Sequence, residues 1–230
     1  VTTAVPSVLR QGVAGATISG PAAGAAAGLI PVGEAAWGAA LTTTAVTGEL
    51  MPVADQVGGT GPGCEAFNPA NTAAVVGRIA LISRGVCPFT QKVKNAQNAG
   101  AIGVLIQDNV QEVGAPSALG GSDPTVTIPA VKIFLSDGNA LREVLRRRSR
   151  SGSGVFVALG LFGTQYAGAD ALGRIKLYTP SPFIGGSSVS HYDTSAFRNQ
   201  LMEPNATPGL TQSVQPPEDL TLPLFKDIGW

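Results

Sequence analysis

The sequence predicts an α/β (α+β) fold. In its middle, apolar runs of strand length alternate with helical patterns; short, weakly alternating strands come before them, and a loop-rich, proline-rich extension closing in a short helix follows. The length of 230 residues fits one large domain, or one ordinary domain with an extension. Charged residues are 13% of the chain and the 15 basic residues equal the 15 acidic ones, so no field exists to collect a polyanion and nucleic acid is excluded as an expected partner. The 44% hydrophobic content can fill a core, which argues against wholesale disorder.

Residues 11–33 carry no charge, but they are alanine and glycine broken by Pro21 and Pro31, and no membrane span is expected. The chain opens on Val1 rather than Met, without a basic segment leading into an apolar one. The expectation is an N-terminus made by processing or cloning, and a chain that is a piece of something longer.

Taken in order, residues 16–19, 33–41 and 42–53 read as antiparallel strands, the last through a break at Thr47-Gly48. The glycine-rich run at residues 58–63 is a loop; it lacks the Lys-Ser/Thr ending of a phosphate loop. Residues 78–83 (RIALIS) make a buried strand. Residues 88–99 place Phe89, Val93 and Ala96 at helical spacing behind a proline suited to a first turn, and Gly100 stops that helix. Residues 102–107 (IGVLIQ) are a second buried strand, which completes a βαβ crossover with a parallel pair.

A similar series follows, with a strand at 129–135, a helix capped by Ser136 or Asp137 and carrying Leu141, Val144 and Leu145, and a strand at 155–161. The run Arg146-Arg147-Arg148-Ser149-Arg150 reads as a solvated helix end that complements the macrodipole, not as a phosphate patch. Residues 174–178 alternate like an edge strand. Near the end, Thr221 can cap a helix with Pro223 in its first turn and Leu220, Leu224 and Ile228 recurring along one side; this tail is expected to pack on the preceding domain or on a missing partner.

Two cysteines, Cys64 and Cys87, are too few for a thiolate zinc site and match no CxxC pair. A disulfide between them would stabilise by about 3 kcal/mol in an oxidising compartment. Two buried free thiols are the other reading.

Gly63-Cys64-Glu65-Ala66-Phe67, then Gly77-Arg78-Ile79-Ala80-Leu81-Ile82-Ser83-Arg84-Gly85, Cys87-Pro88-Phe89, Lys92-Val93-Lys94-Asn95-Ala96-Gln97-Asn98-Ala99-Gly100-Ala101 and Ile128-Pro129-Ala130 together resemble a protease-associated (PA) domain, over roughly residues 16–161. The resemblance implies a small β-barrel or sandwich flanked by helices and supports the Cys64–Cys87 bridge. It also implies a non-catalytic role: such domains sit in or beside secreted peptidases, sorting receptors and membrane-bound ligases, with substrate access, peptide binding and positioning as their proposed tasks. The residues agree, because residues 16–161 contain no histidine and no paired carboxylates within a short motif.

His191 is the sole imidazole. Its setting, Gly186-Ser187-Ser188-Val189-Ser190-His191-Tyr192-Asp193, followed by Leu201-Met202-Glu203-Pro204 and Asp227-Ile228-Gly229-Trp230, resembles the C-terminal segment of leishmanolysin-like, metzincin-type zinc peptidases. That resemblance implies that His191 is a third zinc ligand and that Met202, eleven positions on, forms the methionine turn under the metal. The family's HExxH, which supplies two further imidazoles and the general base, is absent from the sequence. One imidazole cannot hold a catalytic zinc. Ser190, His191 and Asp193 are also the types of a hydrolase triad, but no GxSxG elbow accompanies them. Asn205-Ala206-Thr207 is a glycosylation acceptor pattern followed by Pro208.

The expectation is therefore a PA domain with an N-terminal strand segment over residues 1–162, and over 163–230 the end of a secreted zinc metallopeptidase's catalytic domain. The chain alone is expected to be no enzyme and to carry no cofactor, with zinc belonging to the parent. Its partners would be the remainder of the catalytic domain and a peptide or protein substrate. A stand-alone PA-type module binding a peptide or glycan is the alternative.

Overall fold

The computed structural model describes residues 1–54, 61–112, 115–205, 210 and 212–230. Contacts divide the chain into two compact units. One takes in Ala14–Glu112 and Pro116–Gly160, the other Val1–Val13 and Leu161–Trp230.

The sheet has eight strands: β1 (Gln11–Ser19), β2 (Gly28–Pro31), β3 (Gly33–Glu34), β4 (Val46–Pro52), β5 (Ile79–Ser83), β6 (Gly103–Gln107), β7 (Ala130–Ile133) and β8 (Phe156–Tyr166). Their order is β2-β1-β8-β4-β5-β6-β7-β3. The outermost strands, β2 and β3, are separated in sequence by Val32 alone, so the two edges meet and the sheet is barrel-like. This mixed α/β architecture is the one expected of a PA domain.

β4, β5, β6 and β7 run parallel, with Ala80 opposite Val104 and Leu105 opposite Val131. Nearly every residue of β5, β6 and β7 is buried, which is why β5 and β6 read as apolar runs; β7 is interrupted by Lys132. α3 (Phe89–Asn98) links β5 to β6 and α4 (Leu135–Leu145) follows β7, whereas the described residues between β6 and β7 form no helix. On one face, Ala80, Ile82, Val104 and Ile106 form a cluster with Val93 and Ala96 of α3 and with Trp37. Gly100, at φ +85°, takes the left-handed conformation that ends α3, as its position predicts.

Several elements differ from expectation for identifiable reasons. β4 does not break at Gly48, which pairs with Val157; a Cβ there would meet Ile102 Cδ1 at 3.0 Å, so the glycine serves close packing. The strand expected over 33–41 is only Gly33–Glu34, because Trp37 turns inward and its indole N–H donates to the Leu119 and Gly120 carbonyls at 3.2 and 3.3 Å. α2 (Pro69–Val75) was not foreseen, although Asn68 caps it by accepting from the Asn71 N–H at 2.9 Å and proline follows the cap. α4 starts at Leu135, straight out of β7, so Phe134 holds the cap position and Asp137 lies in the first turn; neither Ser136 nor Asp137 caps it.

In the other unit, α1 (Val5–Val8) and α5 (Thr221–Asp227) share a cluster with Leu9, Ala169, Tyr192, Ala196 and Leu220. The C-terminal residues thus pack with the first nine of the chain, which belong to the segment expected to precede them. Residues 174–178 make isolated bridges, Ala169 to Ile175 and Leu177 to Tyr192, instead of an edge strand. Thr221 is the first helical residue and Leu220 holds the cap position; Asp219, one residue earlier, accepts the Thr221 N–H at 2.7 Å.

Candidate functional site

The carboxyl ends of β5, β6 and β7 lie side by side, the place where parallel sheets gather functional groups. Strand alternation there sends Ser83 and Gln107 to one face and Arg84 and Asp108 to the other. On the first face Arg142 of α4 donates to Ser83 Oγ at 2.7 Å and to Gln107, whose amide donates to Asn139 at 2.9 Å.

On the second face Asp108 is buried and accepts from Arg84 Nη1 at 2.8 and 3.1 Å and from the backbone N–H groups of Asn109 and Val110 at 2.7 and 3.1 Å. Lys132, buried in β7, lies 2.9 Å from Asp108 and 2.7 Å from Glu112, and also donates to Ser117 Oγ. Burial alone would raise the pKa values of Asp108 and Glu112, but hydrogen bonds from Lys132 and its neighbours outweigh it and hold both below the usual carboxylate range. Ser117 and Lys132 are the types of a nucleophile and base. However, this ammonium donates to two carboxylates and has no lone pair to offer, so the cluster is a structural brace.

What the brace positions is the loop 84–89. Arg84 sits 5.9 Å from the Phe89 ring centroid, within cation–π range. Gly85 and Val86 take φ +106° and +72°, closed by a Cys87 N–H to Gly85 carbonyl hydrogen bond of 2.9 Å. A β-branched residue in the left-handed region is strained, and Val86 is also 85% exposed. The loop is tied to the preceding segment by the Cys64–Cys87 disulfide, with Cα atoms 5.7 Å apart. Arg84, Gly85, Val86, Cys87, Pro88 and Phe89 line an open cavity of about 360 Å³.

A larger cavity, about 670 Å³, is lined by segments including Thr2, Pro6, Thr164, Tyr166 and Leu172; no carboxylate, imidazole, thiol or amine side chain faces it.

His191 lies in the other unit, half-buried. Its Nδ1 is 3.0 Å from Ser190 Oγ and 3.2 Å from the Ser187 carbonyl, and Ser190 Oγ donates onward to the Gly186 carbonyl at 3.1 Å. With Nδ1–H donating into this turn, Nε2 is the acceptor nitrogen, and it has no hydrogen-bond partner among the described residues. The next residue, Tyr192, donates its backbone N–H to the Met202 carbonyl at 2.7 Å, and Met202 is packed against the cluster around Tyr192. Asp193 does not orient the imidazole; its carboxylate accepts from the Ser195 N–H at 3.0 Å and from the Ser195 hydroxyl. The triad types therefore do not assemble.

Among the described residues, no group of three or more His, Cys, Asp or Glu side chains is placed to hold a metal ion. His191 by itself does not fit a zinc centre, which needs about three protein ligands. Ala206, Thr207 and Pro208 of the glycosylation pattern lie outside the described residues.

Sequence reasoning missed the brace. The signal was Lys132, a charge inside an otherwise apolar buried strand, which requires a partner.

Comparison with known proteins gives one family, the PA domain, matched at residues 46–141, a narrower stretch than the 16–161 of the resemblance. The vacuolar-sorting receptor 5 of Arabidopsis thaliana is 38% identical over 94 residues, covering 37% of this chain and 15% of the receptor. A probable lipoprotein aminopeptidase of Mycobacterium tuberculosis is 37% identical over 99 residues, 42% of this chain and 18% of that protein. The C5a peptidase of Streptococcus pyogenes is 48% identical over 69 residues, 30% of this chain and 6% of the peptidase. The match therefore spans less than a fifth of each of these relatives. Among solved structures, an aminopeptidase from Aneurinibacillus sp. strain AM-1 aligns with a TM-score of 0.47 at 26% identity, over 68% of this chain and 32% of that one. Residues 46–141, which carry β4 to β7, the brace and the loop 84–89, are a PA domain.

Proposed function

We propose that the chain is a non-catalytic PA accessory module that presents the loop 84–89 to peptide or protein segments. The observation that carries this reading is Val86, an apolar β-branched side chain held exposed in a strained conformation at the rim of a cavity, over a buried ionic brace. The relatives matched over part of the chain are named as a sorting receptor, an aminopeptidase and a C5a peptidase, names that share no single reaction.

In the same proposal, residues 1–162 are the PA domain with its N-terminal strand segment. Residues 163–230 are the end of the catalytic domain of a secreted, leishmanolysin-like zinc peptidase whose HExxH portion is contributed by other polypeptide. His191 would be the third zinc ligand and Met202 the support beneath it. Two observations support this: the acceptor Nε2 of His191 is unused, and Phe183, Ile184 and Val189, within eight residues of it, are 70%, 46% and 58% exposed, as expected of a surface that further protein covers. The zinc would supply a Lewis acid and an activated water in the complete enzyme.

The stand-alone peptide- or glycan-binding module is the second reading. It is favoured by the cluster that Tyr192, Ala196 and Leu220 form with the N-terminal residues Val5, Val8 and Leu9. A fluorogenic casein assay of the purified chain with added zinc tests the first reading. No hydrolysis and less than one bound zinc per chain are expected; turnover with stoichiometric zinc overturns it.

A further inference from the structure

Lys92 of α3 is fully buried, and its ammonium has no carboxylate partner among the described residues. It donates to the Pro62 carbonyl at 2.5 Å and the Gly85 carbonyl at 2.6 Å, and it lies 3.6 Å from Cys64 Sγ. Carbonyl dipoles satisfy its hydrogens but leave the charge uncompensated in a medium that penalises it. Burial accordingly pulls the Lys92 pKa down to about 8. Cys64 Sγ, in contact with the ammonium, becomes an anion when the disulfide opens.

The two sulfurs are not equivalent. Cys64 is held without the disulfide, since Gln91 and Asn95 of α3 donate to the Cys64 and Gly63 carbonyls at 2.6 and 3.0 Å. It therefore stays beside Lys92 once the bond is broken. Cys87 belongs to the strained loop, adjoins exposed Val86, and lines the open cavity, which Cys64 does not.

We propose that Cys64–Cys87 is a regulatory disulfide, opened by attack of an exogenous thiolate on Cys87 Sγ with Cys64 leaving as a thiolate paired to the Lys92 ammonium. In the first step the new S–S bond joins the incoming sulfur to Cys87, and the electron pair of the broken bond goes to Cys64. A second thiolate attacks the incoming sulfur and releases the small-molecule disulfide; Cys87 departs as a thiolate and takes a proton from water. Two thiols have then supplied two electrons. As the ammonium turns to Cys64 it gives up the Gly85 carbonyl, so opening removes the disulfide and the Lys92 hydrogen bond that hold the loop 84–89, which stays anchored at its first residue by the Arg84–Asp108 ion pair. The thiol chemistry does not depend on what the loop binds, and its test stands apart from the recognition reading.

The test equilibrates the folded chain in buffers of graded reduced and oxidised glutathione, followed by acid quench, alkylation and peptide mapping by mass spectrometry. On the wild-type chain the glutathione adduct is expected on Cys87; an adduct on Cys64 overturns the assignment. In Lys92→Met, checked for wild-type circular dichroism, the equilibrium should shift about tenfold toward the disulfide. An unchanged equilibrium overturns the role of Lys92. In Cys87→Ser, the alkylation midpoint of Cys64 should fall a unit or more below the ordinary thiol value of about 8.5. A midpoint at or above that value counts against the proposal.

Discussion

Arg84 Nη1 reaches both carboxylate oxygens of the buried Asp108, at 2.8 and 3.1 Å. This contact joins the end of β6 to the first residue of the candidate recognition loop, and Lys132 shares the same carboxylate from β7 at 2.9 Å. Loss of the charge on Asp108 leaves two cations with reduced compensation. Asp108→Asn is expected to cost about 3 kcal/mol in urea unfolding. A change below about 1 kcal/mol would mean the brace is dispensable.

The same carboxylate predicts an acid response. The Asp108 pKa is held below the ordinary value, so its contribution is present above about pH 4 and is lost as the pH falls through the folded-state value. Urea midpoints measured from pH 6 down to pH 2.5 should decline more steeply for the wild type than for Asp108→Asn. Parallel curves would contradict the assignment.

Gly138 packs α4 directly on β6. A Cβ there would lie 2.2 Å from Gln107 Cγ, and Gln107 cannot swing away without releasing Arg142 and Asn139. Gly138→Ala should therefore destabilise by about 2 kcal/mol even though alanine favours a helix by about 1 kcal/mol. Gly120→Ala, where nothing lies within 4 Å, is the control and should stay within about 0.5 kcal/mol of the wild type. Equal thermal shifts for the two variants would refute the close approach.

Glu203 predicts the opposite sign from Asp108. Burial, together with the Asp193 and Asp219 carboxylates, raises its pKa to about 7 against the Gln200 N–H that it accepts at 2.8 Å. The folded state then holds a proton that the unfolded chain releases near pH 4.5, so stability falls as the pH climbs from there through 7. Glu203→Gln keeps the acceptor without the charge, and should flatten this decline and gain about 2 kcal/mol at pH 8. Calorimetric melting at pH 5 and pH 8 decides it; an undiminished decline in the variant rules out Glu203 as its source.

The central crossover was legible because β5 and β6 are buried on both faces and read as unbroken apolar runs, while Pro88 and Gly100 punctuate the helix between them. Short elements were not. Gly48 reads locally as a break, yet it is set by Ile102 and Ile79, residues far away in sequence that need the space of a Cβ. The strand beyond Glu34 gives way to the inward turn of Trp37, a tertiary contact that no local pattern encodes. The candidate site was half legible. The motif around Cys87-Pro88-Phe89 marked the loop, but the brace needs Arg84, Asp108 and Lys132 brought together from three strand ends, and only the topology does that.

The recognition role of the loop 84–89 is tested most directly by amide chemical-shift mapping of the isotope-labelled chain titrated with a tryptic casein peptide pool. The largest perturbations are expected at Gly85, Val86, Cys87 and Phe89, and they should shrink in Arg84→Ala. Perturbations confined to other parts of the PA domain, or none at all at millimolar peptide, would contradict it.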